Sequence, residues 1–321
     1  MPARLITVVA CAAAVLAPAP VGAQNFPQRA LRIVVPFAPG GANDNAARVV
    51  AQKFGETFGQ PVVVDNRPGG ATNVGTDIVA KAPADGHTLL VTNSSLATNL
   101  SLYKSLPYDA RRDLAPVTLI FTTPLVLVTH PSLPVKNVRE LVDYAKANPN
   151  KLSNASSGNG TPGHVGIEYL KMMTGAPIVH VPYKGGGAAM TDLLSGQAPI
   201  IVGSLLPVVP HLETGRLRAL AVTTAQRWYA LPKVPTVAET LPGYEVELWF
   251  GTMAPRGTPQ AIIDRVNDAI NKALQTADMK KNLDAQGMTA TGGTPQKFGE
   301  RIRKEYERWV KIVNEAAIKP E

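Results

Sequence analysis

Short β-branched runs alternate with longer segments of helical spacing along most of this chain. Leu31-Arg32-Ile33-Val34-Val35 is an apolar run closed by Pro36 and a Gly/Pro loop, which reads as a buried strand. From 43 to 58, Ala46, Val49, Val50, Phe54 and Phe58 recur at three- and four-residue spacing, one face of a helix. Pro61-Val62-Val63-Val64 is a second strand, 72–82 a second helix and 88–92 a third strand. A β-α-β-α-β series with short connections predicts a parallel, doubly wound sheet.

The rhythm then breaks. Val117–Phe121 and Leu125–Thr129 read as two strands separated only by Thr122-Thr123-Pro124. A second series follows, with helices at 138–147, 162–174, 188–194 and near 208–214, and strands at 152–155, 178–181, 200–202 and 217–222. Two consecutive series predict an α/β chain in two lobes, each a sheet flanked by helices. Thr258-Pro259 and Thr294-Pro295 each place an N-cap before a proline at the first helical position. They open the last two long helices, the second carrying Phe298, Ile302, Trp309 and Val313 on one stripe.

The first 23 residues add a location. Arg4 supplies a positive start, Leu5 to Ala17 an apolar stretch, and Val21-Gly22-Ala23 the small residues of a cleavage site, so residues 1–23 are expected to be a secretory signal cleaved near Ala23. The apolar stretch is too short to span a bilayer. Val8-Val9-Ala10-Cys11 is an alternative lipidation site, although cleavage there would leave a very short apolar region. Cys11 is the sole cysteine, so a cleaved chain would have no disulfide, thiolate metal site or cysteine nucleophile. A periplasmic location is expected.

The net charge is +8. Basic residues are spread thinly, with Arg111-Arg112 and Lys280-Lys281 the densest pairs, and no stretch interleaves cations with aromatics as nucleic-acid grooves do. A mild attraction for anionic ligands is the remaining implication. His87, His130, His164, His180 and His211 show no metal-ligand spacing, and no metal or cofactor is expected. Neither Ser156 nor Ser157 lies between glycines in a nucleophile elbow, and no P-loop occurs. An esterase built on Ser157 and His164 is the alternative from a different class, but it has no carboxylate to orient the histidine.

Three polar or glycine-rich loops remain, each between a strand and a helix. Pro36-Phe37-Ala38-Pro39-Gly40-Gly41-Ala42-Asn43-Asp44 allows close backbone approach, and the helix start behind it favours an anion. The same glycines also suit a plain strand-to-helix turn. Ser156-Ser157-Gly158-Asn159-Gly160-Thr161 offers three hydroxyls and an amide before Pro162, with Thr161 a natural N-cap and His164 in the first turn. His164 suits a structural hydrogen bond as well as a ligand contact. Tyr183-Lys184-Gly185-Gly186-Gly187 is the third, where Tyr183 could line a cleft and Lys184 either attract an anion or stay solvated. In α/β sheets ligands sit beyond the carboxyl ends of strands, where all three loops would lie.

With these residues in view the chain resembles the Bug/TctC-type extracytoplasmic solute receptors, the binding component of tripartite tricarboxylate transporters. The resemblance covers essentially the whole chain after the signal. It rests on Ile33-Val34-Val35-Pro36-Phe37-Ala38-Pro39-Gly40-Gly41 with Asp44, Val64-Asp65-Asn66-Arg67-Pro68-Gly69-Gly70, and Ala84-Asp85-Gly86-His87-Thr88-Leu89-Leu90. Leu106-Pro107-Tyr108-Asp109, Ser156–Thr161, His180–Gly186, Leu231–Thr236, Trp249-Phe250-Gly251 and Ala254-Pro255 continue it in order.

The resemblance implies a two-lobed periplasmic-binding-protein fold, the Venus flytrap, with two crossovers. Lobe 1 would be 24–123 with 247–321 and lobe 2 124–246, hinged at Thr122-Thr123-Pro124 and Glu245–Leu248. It further implies capture of a small organic carboxylate by Phe37, Ala38, Gly41, Ala42, Asn43 and Asp44 of lobe 1 and by Ser157, Gly158, Asn159, Gly160 and Thr161 of lobe 2. Asp44 would organise its loop rather than touch an anion, since like charges repel. Asn93, Ser94, His164, Tyr183, Gly203, Ser204, Trp249 and Phe250 are further contacts, Trp249 and Phe250 equally suited to core or hinge packing. Relatives often carry Ser or Thr where this chain has Ala42-Asn43, which removes a hydroxyl donor. The implied partners are membrane permease subunits or, alternatively, a sensor protein; a monomer with no nucleic-acid partner is expected.

Overall fold

The computed structural model describes residues 26–315 and 318. The expected secretory signal, with Cys11 and the expected cleavage near Ala23, lies outside the described residues. The first series is β1 (Leu31–Val35), α1 (Ala42–Phe58), β2 (Val62–Asn66), a 3-10 turn (Gly70–Thr72), α2 (Asn73–Ala80), β3 (Thr88–Asn93), α3 (Ser95–Leu102) and α4 (Ala110–Asp113). β4 (Leu114–Thr129) leads into α5 (Val138–Ala147), β5 (Leu152–Ser156), α6 (Pro162–Thr174), β6 (Ile178–Pro182) and α7 (Gly186–Leu194). β7 (Ile200–Ser204), α8 (Val209–Glu213) and β8 (Arg218–Val222) complete the second series. β9 (Glu247–Pro255), α9 (Gln260–Gln275), α10 (Ala277–Ala285), β10 (Thr289–Ala290) and α11 (Pro295–Glu315) close the chain.

The strands pair in the order β2-β1-β3-β9-β4-β7-β5-β6, with β8 and β10 also on β4. β1, β2 and β3 are mutually parallel, as are β5, β6 and β7, whereas β9 runs antiparallel to β3 and β4. Both faces are covered: Leu89 and Val91 of β3 enter one apolar cluster, and Leu90 between them enters another. Burial on both faces is why these strands read as continuous apolar runs.

β4 corrects the expectation of two separate strands. It is one 16-residue strand, paired with β9 from Leu114 to Pro124 and with β7 and β8 from Leu125 to Thr129. Both prolines of this strand fall where a missing donor is tolerated. Pro116 sits at a register shift, and Pro124 sits where the strand passes from one set of partners to the other. The chain returns beside it. Val246 N–H donates to Thr223 O at 2.9 Å, Leu125 N–H donates to Thr223 Oγ1 at 3.1 Å, and that hydroxyl contacts Val246 O at 2.6 Å. Thr223 therefore staples both links.

One of the two expected proline-led helix starts differs. α9 begins at Gln260 with Pro259 at the N-cap, because Thr258 Oγ1 donates to Pro255 O at 2.8 Å. At α11, Lys297 N–H reaches Thr294 Oγ1 at 3.3 Å, as expected of a cap. The α11 stripe buries Phe298, Ile302, Trp309 and Val313, and Glu305 with them. Trp249 Nε1–H donates to Glu305 Oε2 at 2.6 Å and Arg301 bridges Glu305 to Glu247, so this buried charge is paired.

Candidate functional site

Strand registers bring the loops of both parts of the sheet to one place. β3 ends at Asn93, opposite Phe250, and Phe250 lies opposite Phe121 of β4. From the other side β7 ends at Ser204, opposite Leu125 of β4. β1 and β5, parallel to β3 and β7, end at nearly the same levels. The carboxyl ends of the parallel strands thus face each other across the two links, where α/β sheets bind ligands.

On the first side, Gly40 takes φ +83° and lets the loop turn into α1, whose N-cap Gly41 offers no side-chain cap. Asp44 is buried and accepts from Gly40 N–H at 3.0 Å and from Arg48 Nε at 2.9 Å. Burial pushes its carboxyl up, but Arg48, the Gly40 amide and Asn66 together hold it below the usual range. Asn66 Nδ2 donates to Phe37 O at 3.1 Å, tying the loop to β2. Ala38 and Gly41 are exposed; Phe37 and Ala42 are half-buried. Asn93 Oδ1 accepts from Ser95 N–H at 2.9 Å, and Ser94 N–H donates to Trp249 O at 3.2 Å. Asn43 Oδ1, Asp44 Oδ1, Ser94 Oγ and Ser95 Oγ are buried without a protein partner. Such atoms are uncommon in folded proteins, and these four gather at the carboxyl ends of two adjacent strands.

On the second side, the loop's own amides are largely spent. Gly158 N–H donates to Ser156 Oγ at 3.1 Å, and Gly160 N–H to His164 Nδ1 at 3.1 Å. Thr161 does not cap α6 as its sequence suggested; its hydroxyl donates to Gly158 O at 2.6 Å instead. The α6 N-terminus is therefore left without a side-chain cap, and Pro162 has no N–H to spend. Ser157 is exposed between the left-handed Gly158 and β5, and Asn159 is half-buried.

The remaining expected residues divide. Gly203 and Ser204 are half-buried at the end of β7. Tyr183 is anchored, its N–H to Ser156 O and its hydroxyl to Asp192, and Lys184 is exposed. Trp249 and Phe250 are fully buried, Trp249 edge-on to Phe298 and Phe250 4.5 Å from Phe121. Of the two roles open to them, core packing is the one they have here. His164 holds its own loop. The serine with a histidine neighbour is Ser156, with Oγ 2.7 Å from His180 Nε2, not Ser157. Ser156 is 1% exposed and shares its hydroxyl with Gly158, so no nucleophile is presented.

Sequence reasoning missed three participants. Ser95 follows an unrecognised strand-to-helix turn, and His180, although it opens the run His180–Gly186, had no expected role at the site. The third, Asn99 on α3, joins the two sides. A Cβ on Gly160, which has φ +71°, would stand 2.3 Å from Asn99 Oδ1. Asn99 Nδ2 donates to Ala71 O and, at 3.1 Å, to Thr72 Oγ1. Ala71 and Thr72 themselves take φ +51° and +79°, a left-handed conformation unusual for residues with side chains. No spacing rule links positions 99 and 160.

Known proteins match this arrangement along nearly the whole chain. The family model for the tripartite tricarboxylate transporter family receptor matches residues 46–318. Protein BugT of Bordetella pertussis is 41% identical over 304 residues, covering 94% of this chain and 93% of that protein. An R. palustris protein solved with adipate superposes with TM-score 0.86 at 38% identity, over 92% of this chain and all of that one. The periplasmic binding protein BugD superposes with TM-score 0.84 at 30% identity, over 92% of this chain and 100% of that one. MatC from Rhodopseudomonas palustris, with bound malate, superposes with TM-score 0.83 at 31% identity, over 90% of this chain and 100% of that one. The family is one of solute receptors rather than enzymes. With its periplasmic-binding-protein fold, its opposed strand-end loops and this match, the chain belongs to the tripartite tricarboxylate transporter family of receptors.

Proposed function

We propose that this receptor captures a small organic carboxylate between its two sides and presents it, as a periplasmic monomer, to the membrane permease subunits of a tripartite tricarboxylate transporter. The observation that carries the reading is the pair of helix N-termini without side-chain caps, α1 behind Gly41 and α6 behind Thr161, each following a strand that ends beside the two links, one from either side. Each favours negative charge through its free N–H groups and dipole. Adipate and malate with the two R. palustris relatives are of this chemical class.

In this reading residues 24–123 with 247–321 form one lobe and 124–246 the other, hinged at Thr122–Pro124 and Glu245–Leu248. Phe37, Ala38, Gly41, Ala42 and Asn43 supply one half of the site. Ser157, Asn159 and the α6 N-terminus behind Thr161 supply the other, with Ser94 beneath. A ligand bridging both favours the closed form, because only that form supplies both sets of donors. Micromolar binding corresponds to about −8 kcal/mol, within reach of several charge-assisted hydrogen bonds at about 1.5–3 kcal/mol each after closure costs. The test is a thermal-shift and calorimetric panel of di-, tri- and aromatic carboxylates, with X-ray scattering of the free and loaded protein. At 100 times its Kd a true ligand adds about 2.7 kcal/mol. A panel without any shift, or binding without compaction, would overturn the reading.

A further inference from the structure

Behind the second ligand loop lie two histidines that the capture of a solute, as described, does not use. The rings of His164 and His180 stack 3.9 Å apart at 20°. His164 is buried in the first turn of α6, and His180 stands half-buried on β6. Each ring ends on one end of the loop between them. His164 Nδ1 faces Gly160 N–H at 3.1 Å, and His180 Nε2 faces Ser156 Oγ at 2.7 Å.

The protons can be placed. A backbone N–H only donates, so His164 Nδ1 is an acceptor and its ring proton is on Nε2. Ser156 Oγ accepts from Gly158 N–H, and its one hydrogen goes to Gly158 O or to His180. The two rings therefore bind both left-handed glycines, Gly160 directly and Gly158 through Ser156. Both glycine amides are drawn inward. Ser157, between these fixed points, is left exposed.

We infer that His164 and His180 are positioning residues, a neutral stacked pair that sets the shape of the Ser156–Thr161 loop so that Ser157, rather than a glycine amide, meets the solute. The inference rests on the reading that this loop binds solute. Burial supports the neutral state, holding His164 down to about 4 and His180 to about 3. The mutual repulsion of two imidazolium rings adds to it for His180, and Lys171, paired with Glu168, adds to it for both. A protonated His164 would point an N–H at the Gly160 N–H and release that end of the loop.

The experiment has two arms. Nitrogen-15 NMR of the histidine rings in the full-length mature protein reads tautomer and titration without any ligand. The expected result is His164 with an unprotonated Nδ1 and both rings neutral at pH 5. A protonated Nδ1, or titration near the ordinary value, would overturn the pair. In the second arm, calorimetry with malate and adipate at pH 7.5 compares His164→Asn with His164→Leu and His180→Gln with His180→Leu. The Asn oxygen stands near Nδ1 and the Gln amide near Nε2, so these variants should retain affinity within about threefold, while the Leu variants lose about tenfold or more. Equal losses in conservative and apolar variants would reduce the histidines to packing and sink the inference. If the wild-type protein binds neither probe, the choice of probe or the carboxylate reading is at fault, and the NMR arm still decides the pair. A Leu variant that does not fold leaves that decision to the same NMR arm.

Discussion

Gly160→Ala places a methyl group in the contact between the two sides, and its cost divides into two measurable parts. Residue 160 has φ +71°, where an L-residue costs on the order of 1 kcal/mol whatever its surroundings. That part lowers stability with or without ligand. The second part arises because the new Cβ would lie 2.3 Å from Asn99 Oδ1, far inside van der Waals contact. Asn99 is fully buried and committed through Nδ2 to Ala71 O and Thr72 Oγ1, so swinging it aside breaks buried hydrogen bonds. Each is worth about 1 kcal/mol, and more when a partner is left unsatisfied. The alternative relief is for the two sides to part.

If closure traps the solute, this second part, about 1–3 kcal/mol, is borne by the closed form alone and appears as a roughly 5- to 150-fold loss of affinity. Calorimetry with the best carboxylate of the panel measures it, and denaturant unfolding of the free protein measures the first part separately. Adding Asn99→Gly to Gly160→Ala removes the obstructing oxygen and should restore part of the affinity relative to either change added independently. An affinity unchanged by Gly160→Ala, beside a clear fall in stability, would refute the reasoning, since the contact would then be the same in open and closed forms.

Two further changes test other parts of the structure. Trp249→Phe removes the indole N–H that serves the buried Glu305 carboxylate, which burial already pushes up against the pull of Arg301 and Trp249. It should lower stability by about 2–4 kcal/mol and leave ligand affinity unchanged; an affinity loss would put Trp249 against the solute after all. Acid should weaken the fold through His164, whose pKa of about 4 lies below its ordinary 6.5. Between those values the unfolded chain binds the proton and the folded one does not, so this stability is complete above pH 6.5 and lost as pH falls towards 4, on the order of 3 kcal/mol in all. Urea midpoints from pH 7.5 to 4.5 should fall more steeply for the wild type than for His164→Asn, and identical slopes would exclude the histidine as the source.

Much of the fold was legible because periodicity is local. The α6 bounds, Pro162–Thr174, coincide with the sequence reading, since Pro162 and Gly175 punctuate an apolar repeat. β4 was misread because Thr122-Thr123-Pro124 looks like a break between strands, and only the partner strands show that Pro124 did not need to donate. Glu305 offered no warning either. A carboxylate in an apolar stripe is buried only because Trp249 and Arg301, distant in sequence, arrive to pair it.

At the site the same division holds. The glycine and hydroxyl loops could be read directly, because turn geometry and helix starts depend on neighbouring residues. Which of their groups remain free could not. The Gly158 and Gly160 amides are taken by Ser156 and His164, the Thr161 hydroxyl by Gly158, and Trp249 and Phe250 by the core. By itself the sequence determined the alternation of strands and helices, the loops at strand ends and the family resemblance, all set by short-range spacing and backbone preference. Only the tertiary structure decided that Gly160 meets Asn99 and that two histidines stack behind the loop. Those contacts join residues tens of positions apart, and strand register and helix packing, not local spacing, bring them together.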